Sequence, residues 1–102
     1  MLSLFIGLMS GTSLDGVDAV LADCSASPPR TLAHAYRAFD GELRAELTGL
    51  CTSGTDEIER GGRAAQQLAR VYAESVDQVL QSAGVAADKV RAIGAHGQTV
   101  RH

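Results

Sequence analysis

The chain opens with two short apolar runs separated by a loop of turn formers, and this constrains its fold more than anything else in it. Residues 2–9 place Leu2, Leu4, Ile6 and Leu8 at alternate positions, with Phe5 and Met9 between them. That pattern predicts a β-strand buried on both faces. Residues 10–16 carry Gly11, Ser13, Asp15 and Gly16, which favour a reversal of direction. Residues 17–22 are apolar again, so the opening unit reads as a hairpin with a long glycine-bearing loop. A hairpin alone buries too little apolar surface to persist in water, so the rest of the chain must supply a covering layer.

That layer is legible. Both prolines, Pro28 and Pro29, fall in residues 25–30, a surface connection, and residues 31–39 alternate as a third strand. Asp40 can cap a short helix running to Leu50, in which Leu43, Leu47 and Leu50 share a face, and Ser53 and Gly54 end the unit. A longer helix follows Asp56, with Glu59 three residues on suggesting a capping box. Ile58, Ala65, Leu68, Tyr72, Val76, Val79 and Ala83 form one apolar stripe that reads as core packing, and Gly84 is placed to stop the helix. Residues 90–95 form a last strand, followed at once by His96, Gly97 and Gln98. The order β-β-β-α-α-β predicts one α/β domain with a mixed sheet and the long helix as its crossover.

Composition removes several classes of function. With 45% hydrophobic and 21% charged residues the chain is of globular type. A formal net charge of -3 and 4% aromatic residues argue against nucleic acid, which calls for a basic face and stacking platforms. The first nine residues lack the basic start of a secretory signal and the length of a membrane span, which predicts no membrane association and a cytoplasmic protein. Asp23 before Cys24 is wrong for a lipoprotein cleavage box. Cys24 and Cys51 lie far apart with no metal-binding spacing and are expected to be reduced, partly buried thiols.

Two segments can carry chemistry. In residues 10–16, backbone N–H groups near Gly11 and Gly16 and the hydroxyls of Thr12 and Ser13 suit a nucleotide phosphate, and Asp15 and Asp18 suit Mg²⁺. The loop is not a Walker loop, having no Gly-Lys-Ser/Thr and no following helix, and an ordinary polar hairpin turn fits the same residues. The second segment, His96, Gly97, Gln98 and Thr99, ends a strand, where ligand crevices of open α/β sheets lie. Gln98 and Thr99 suit sugar hydroxyls, and His96 is either a general base or a structural residue. A Ser-His-Asp hydrolase is disfavoured because Ser10 and Ser13 have no Gly-x-Ser-x-Gly elbow. His34 and His102 have no supporting neighbours in the sequence.

Together the two segments resemble a known family. Ile6-Gly7-Leu8-Met9-Ser10-Gly11-Thr12-Ser13-Leu14-Asp15-Gly16-Val17-Asp18 is similar to the N-terminal signature of the anhydro-N-acetylmuramic acid kinases. Ile93-Gly94-Ala95-His96-Gly97-Gln98-Thr99-Val100-Arg101-His102 resembles their second signature. The resemblance implies the actin-like, ribonuclease H-like fold of the hexokinase/actin/Hsp70 ATPase superfamily, with residues 1–102 as the N-terminal part of the first of two lobes.

It also implies the function. Family members use ATP, Mg²⁺ and water to convert 1,6-anhydro-N-acetylmuramic acid into N-acetylmuramic acid 6-phosphate in peptidoglycan recycling, and homodimers are expected by analogy. Carried onto this chain, Gly11, Thr12, Ser13, Leu14, Asp15, Gly16, Val17 and Asp18 form the ATP loop, Asp15 and Asp18 lie near Mg²⁺, and His96, Gln98 and Thr99 belong to the sugar cleft. The water-activating Asp is expected beyond His102, so the chain is read as an inactive fragment of a longer kinase. Two positions depart from pattern: Met9 stands where many superfamily members have an Mg²⁺-organising Asp, and Ala95 stands where Ser is common. The rival readings are a non-catalytic nucleotide-binding domain of the same fold and a small interaction module.

Overall fold

The computed structural model describes residues 2–11 and 14–98. Strand β1 (Leu4–Met9) pairs antiparallel with β2 (Gly16–Asp23), and β2 pairs antiparallel with β3 (Arg30–Ala38). Helices α1 (Gly41–Gly49) and α2 (Glu57–Ala83) follow, and after a 3-10 turn (Ala87–Lys89) strand β4 (Val90–Ala95) returns parallel to β1. The sheet order is β3-β2-β1-β4. The α/β class, the mixed sheet and the element order are those the sequence predicts.

One face of the sheet carries the core. Leu4, Ile6 and Leu8 of β1 lie beside Leu21 and Ala19 of β2, and with Val17 they pack in one cluster with Leu43, Leu47, Leu50, Ala64, Val79 and Leu80 of the helical layer. Arg37 of β3 reaches across to Glu74 of α2 at 2.7 Å. The other face is open. Phe5 is half-buried there, and Met9 is 52% exposed. The prediction of a strand buried on both sides is therefore wrong for β1, because the described helices cover one face only. Leu2, expected to share the buried side, is also exposed.

Helix α1 forms as predicted. Asp40 accepts a hydrogen bond from the Leu43 N–H at 2.8 Å, and Leu43 and Leu47 point inward. Helix α2 corrects the sequence in two ways. Asp56 occupies the cap position in a left-handed conformation with no side-chain cap bond, so the capping box does not form. The predicted stripe is core over its second half, where Val79 is fully buried and Val76 and Ala83 are half-buried, but Ala65 is exposed and Ile58 is 94% exposed. Between the first half of α2 and α1 lies an open apolar groove of about 440 Å³ lined by Leu47, Leu50, Ile58, Ala64 and Leu68. Arg60 ties that half down, bonding Glu46 at 2.6 Å and the Thr55 carbonyl at 3.2 Å. Gly84 ends the helix at φ 67°, as expected of a left-handed terminator.

The hairpin is closed at its far end by Asp23. Its Oδ1 accepts from the Ser3 N–H, the Ser25 N–H and the Ser25 hydroxyl. The Ser25 bonds chiefly, and then that of Ser3, hold its carboxyl below the usual aspartate range. Both cysteines are free thiols; Cys51 is half-buried as expected, whereas Cys24 is exposed in the turn after β2. Among the described residues no helix is long and apolar enough to cross a membrane.

Candidate functional site

The register decides where the two signature segments meet. Strands β1 and β4 are parallel neighbours, with Leu8 opposite Ala95, so the loop after β1 and the segment after β4 leave the sheet side by side. The His96 N–H continues the ladder onto the Leu8 carbonyl at 3.0 Å. Ligand crevices of α/β sheets lie outside the carboxyl ends of parallel strands, and both candidate segments occupy that position.

The first loop is shaped from beneath. Leu14 adopts φ 59°, a conformation costing a β-carbon-bearing residue about 1–2 kcal/mol. Its side chain is only 9% exposed, and that burial offsets the cost. The Leu14 N–H bonds the Gly11 carbonyl at 3.2 Å. On the far side of Leu14, Phe39 N–H bonds the Asp15 carbonyl at 3.0 Å. A β-carbon on Gly16 would come 2.5 Å from the Arg37 carbonyl and 2.6 Å from the Tyr36 hydroxyl, so β3 requires glycine there. Gly11 differs: among the described residues, chain neighbours aside, a β-carbon would meet nothing within 4 Å. Leu14 and Val17 put their side chains into the core, which leaves their backbone for any nucleotide.

The carboxylates lie on the open face. Asp18 is the cross-strand partner of Met9, about 5 Å away between β-carbons, so it presents a carboxylate beside the position that Met9 leaves without one. Its Oδ1 also meets His34 Nε2 at 2.9 Å, giving His34 the neighbour its sequence context does not supply. Tyr36 completes this row. Burial chiefly, then the charges of Asp15 and Asp18 and a hydrogen bond to Asp15, push its phenol up from its ordinary value. Along the same face a shallow trough of about 440 Å³ runs between Met9, Asp18, Val20, Gly94 and His96. Among the described residues no group of three or more His, Cys, Asp or Glu side chains could hold a metal ion. The carboxylates fit Mg²⁺ only in its usual nucleotide-bound form, with one or two carboxylates beside phosphates and water.

The second segment leans on the first. The Gln98 side-chain amide donates to the Gly11 carbonyl at 3.0 Å, and the Ser10 hydroxyl sits 2.9 Å from the Tyr72 hydroxyl and 3.5 Å from the Gly97 carbonyl. His96 is exposed, its Nδ1 3.2 Å from the Gly97 carbonyl. Thr12, Ser13 and Thr99, also assigned to the site, lie outside the described residues. The sequence reading missed Tyr72, taken as core stripe, and His34 and Tyr36. Period-2 alternation puts His34 and Tyr36 on one face of β3, but only the register sets that face beside Asp18.

A sequence model of the anhydro-N-acetylmuramic acid kinase family matches residues 3–102. The chain belongs to that family. Its relatives include the anhydro-N-acetylmuramic acid kinases of Bordetella petrii, 57% identical over 100 residues, and Cupriavidus metallidurans, 54% identical over 99 residues, each alignment covering 97% of this chain. That of Albidiferax ferrireducens is 52% identical over the whole chain. In all three the alignment covers 26% of the relative, so the chain spans about a quarter of the length of the kinases it matches. The mixed four-stranded sheet with its helical layer agrees with the N-terminal part of an actin-like ATPase lobe.

Proposed function

We propose that the full-length protein is an ATP-dependent sugar kinase and that this chain is the N-terminal part of its first lobe. Its substrate is 1,6-anhydro-N-acetylmuramic acid. Water adds at C1 as the anhydro C1–O bond opens, the sugar O6 takes the γ-phosphoryl group, and ADP and N-acetylmuramic acid 6-phosphate leave. The observation that carries this reading is the meeting of two family signatures at the carboxyl ends of β1 and β4.

In this reading Gly11, Thr12, Ser13 and Gly16 offer backbone and hydroxyl donors to phosphates, held in place by the buried side chains of Leu14 and Val17. Asp15 and Asp18 supply carboxylate near the phosphates, where Mg²⁺ would neutralise charge developing during transfer. His96 and Thr99 line the sugar side. The net charge of -3 supports a small-molecule substrate over nucleic acid. A cytoplasmic site of action and a homodimer complete the proposal, both by analogy with the family.

The test is turnover of the full-length protein with ATP, Mg²⁺ and the anhydro sugar, followed by mass spectrometry. Gly11→Val serves as the control, because a β-carbon there comes within 4 Å of no described residue beyond its chain neighbours. Sugar phosphate from wild type with at least a roughly hundredfold loss in the variant is the expected result. A folded wild type that makes none would overturn the substrate assignment.

A further inference from the structure

The two segments are joined by side chains as well as by the β1–β4 ladder, and these ties have a direction. A carbonyl oxygen only accepts, so the Gln98 amide nitrogen must be the atom facing Gly11. The Gly11 carbonyl then receives two donors, Gln98 Nε2 at 3.0 Å and the Leu14 N–H at 3.2 Å, the second from the residue of left-handed φ. Ser10, just before it, is 1% exposed. Its single hydroxyl proton can reach the Gly97 carbonyl, which leaves Tyr72 to donate to Ser10. Residues from α2 and from the end of β4 thus grip two consecutive loop residues, Ser10 and Gly11.

We propose that Gln98 and Tyr72 are positioning residues of the nucleotide loop: they act through Gly11 and Ser10, and Gln98 is not a sugar contact. This rests on reading residues 11–18 as the ATP loop. Both side chains approach the loop from the protein's side, Tyr72 half-buried on the core-facing side of α2 and Gln98 half-buried against the groove beside α1. A phosphate cradle depends on the directions of several N–H groups at once, so a turn held at its entry is pre-organised for an anion. Losing a tie leaves the loop attached through Leu14 but free to sample other geometries.

The variants are Gln98→Met, which keeps length and removes the donor, and Tyr72→Phe, which keeps the ring and removes the hydroxyl, both in the full-length protein. Two readouts are taken: separate KM values for ATP and for the sugar, and amide hydrogen exchange of the peptide covering residues 9–16. The expected result for Gln98→Met is a KM for ATP raised roughly 5- to 10-fold, the worth of one or two hydrogen bonds, with the KM for the sugar unchanged. Tyr72→Phe should move the same constant in the same direction, and both variants should speed exchange in the loop while residues 17–23 stay as slow as in wild type. A raised KM for the sugar with that for ATP unchanged would overturn the proposal and return Gln98 to the sugar cleft. Loop exchange unchanged in both variants would overturn it as well. If the wild type turns over no sugar, the kinase reading fails on its own, and loop exchange still decides whether these residues hold the loop.

Discussion

The two faces of the sheet are built from the same strands and do different work. On the helix-covered face, Ile6, Leu8, Ala19 and Leu21 meet Val79 and Leu80 and bear no polar side chain suited to chemistry. On the open face the same strands present Met9, Asp18, His34, Tyr36 and, at the end of β4, His96. Alternation along each strand separates the buried apolar side chains from the exposed polar ones at single-residue resolution. The proposed nucleotide loop starts where the faces meet: Leu14 anchors it to the covered side, and Asp15 turns toward Tyr36 on the open side.

This division can be broken by substitution. The largest effect belongs to the covered face: Leu21→Ala, at a fully buried position, should cost about 2–5 kcal/mol of stability, read by denaturant unfolding. A loss below about 1 kcal/mol would mean that the helix layer packs less tightly on β2 than described. The smallest effect on stability belongs to the open face. Asp18→Asn breaks an exposed pair with His34, both side chains 54% exposed, and should shift stability by no more than about 0.5 kcal/mol. If the proposed Mg²⁺ role holds, the same change in the full-length protein should raise the Mg²⁺ concentration needed for half-maximal turnover roughly 10- to 100-fold. A large stability loss without a shift in Mg²⁺ dependence would make Asp18 a structural residue.

The sequence discloses the elements well because each local signal agrees with its neighbours. Asp40 caps α1 and Gly84 ends α2 where turn chemistry places them, and the four strand segments become β1 to β4. It errs where coverage depends on the third dimension. Residues 2–9 are apolar on both sides, but nothing in a linear pattern says that α2 lies on β2 and β3 and leaves the other face open. Likewise Ile58 continues the α2 stripe, yet it is exposed at the rim of the open groove beside Leu47 and Leu50. The loop was legible as a loop; the left-handed Leu14 was not, because leucine gives no local hint of that conformation. The Gln98 and Tyr72 ties join residues 87 and 62 positions apart from their partners, separations that no spacing rule reaches.

The central claim is that the carboxyl ends of β1 and β4 form one nucleotide site. Its most direct test is amide hydrogen exchange of the full-length protein with and without Mg²⁺ and a non-hydrolysable ATP analogue. The account predicts slowed exchange in peptides covering residues 9–18 and 95–98, with residues 24–34 at the far end of the hairpin unchanged. Nucleotide binding that leaves both of those segments as fast as in the free protein would contradict it.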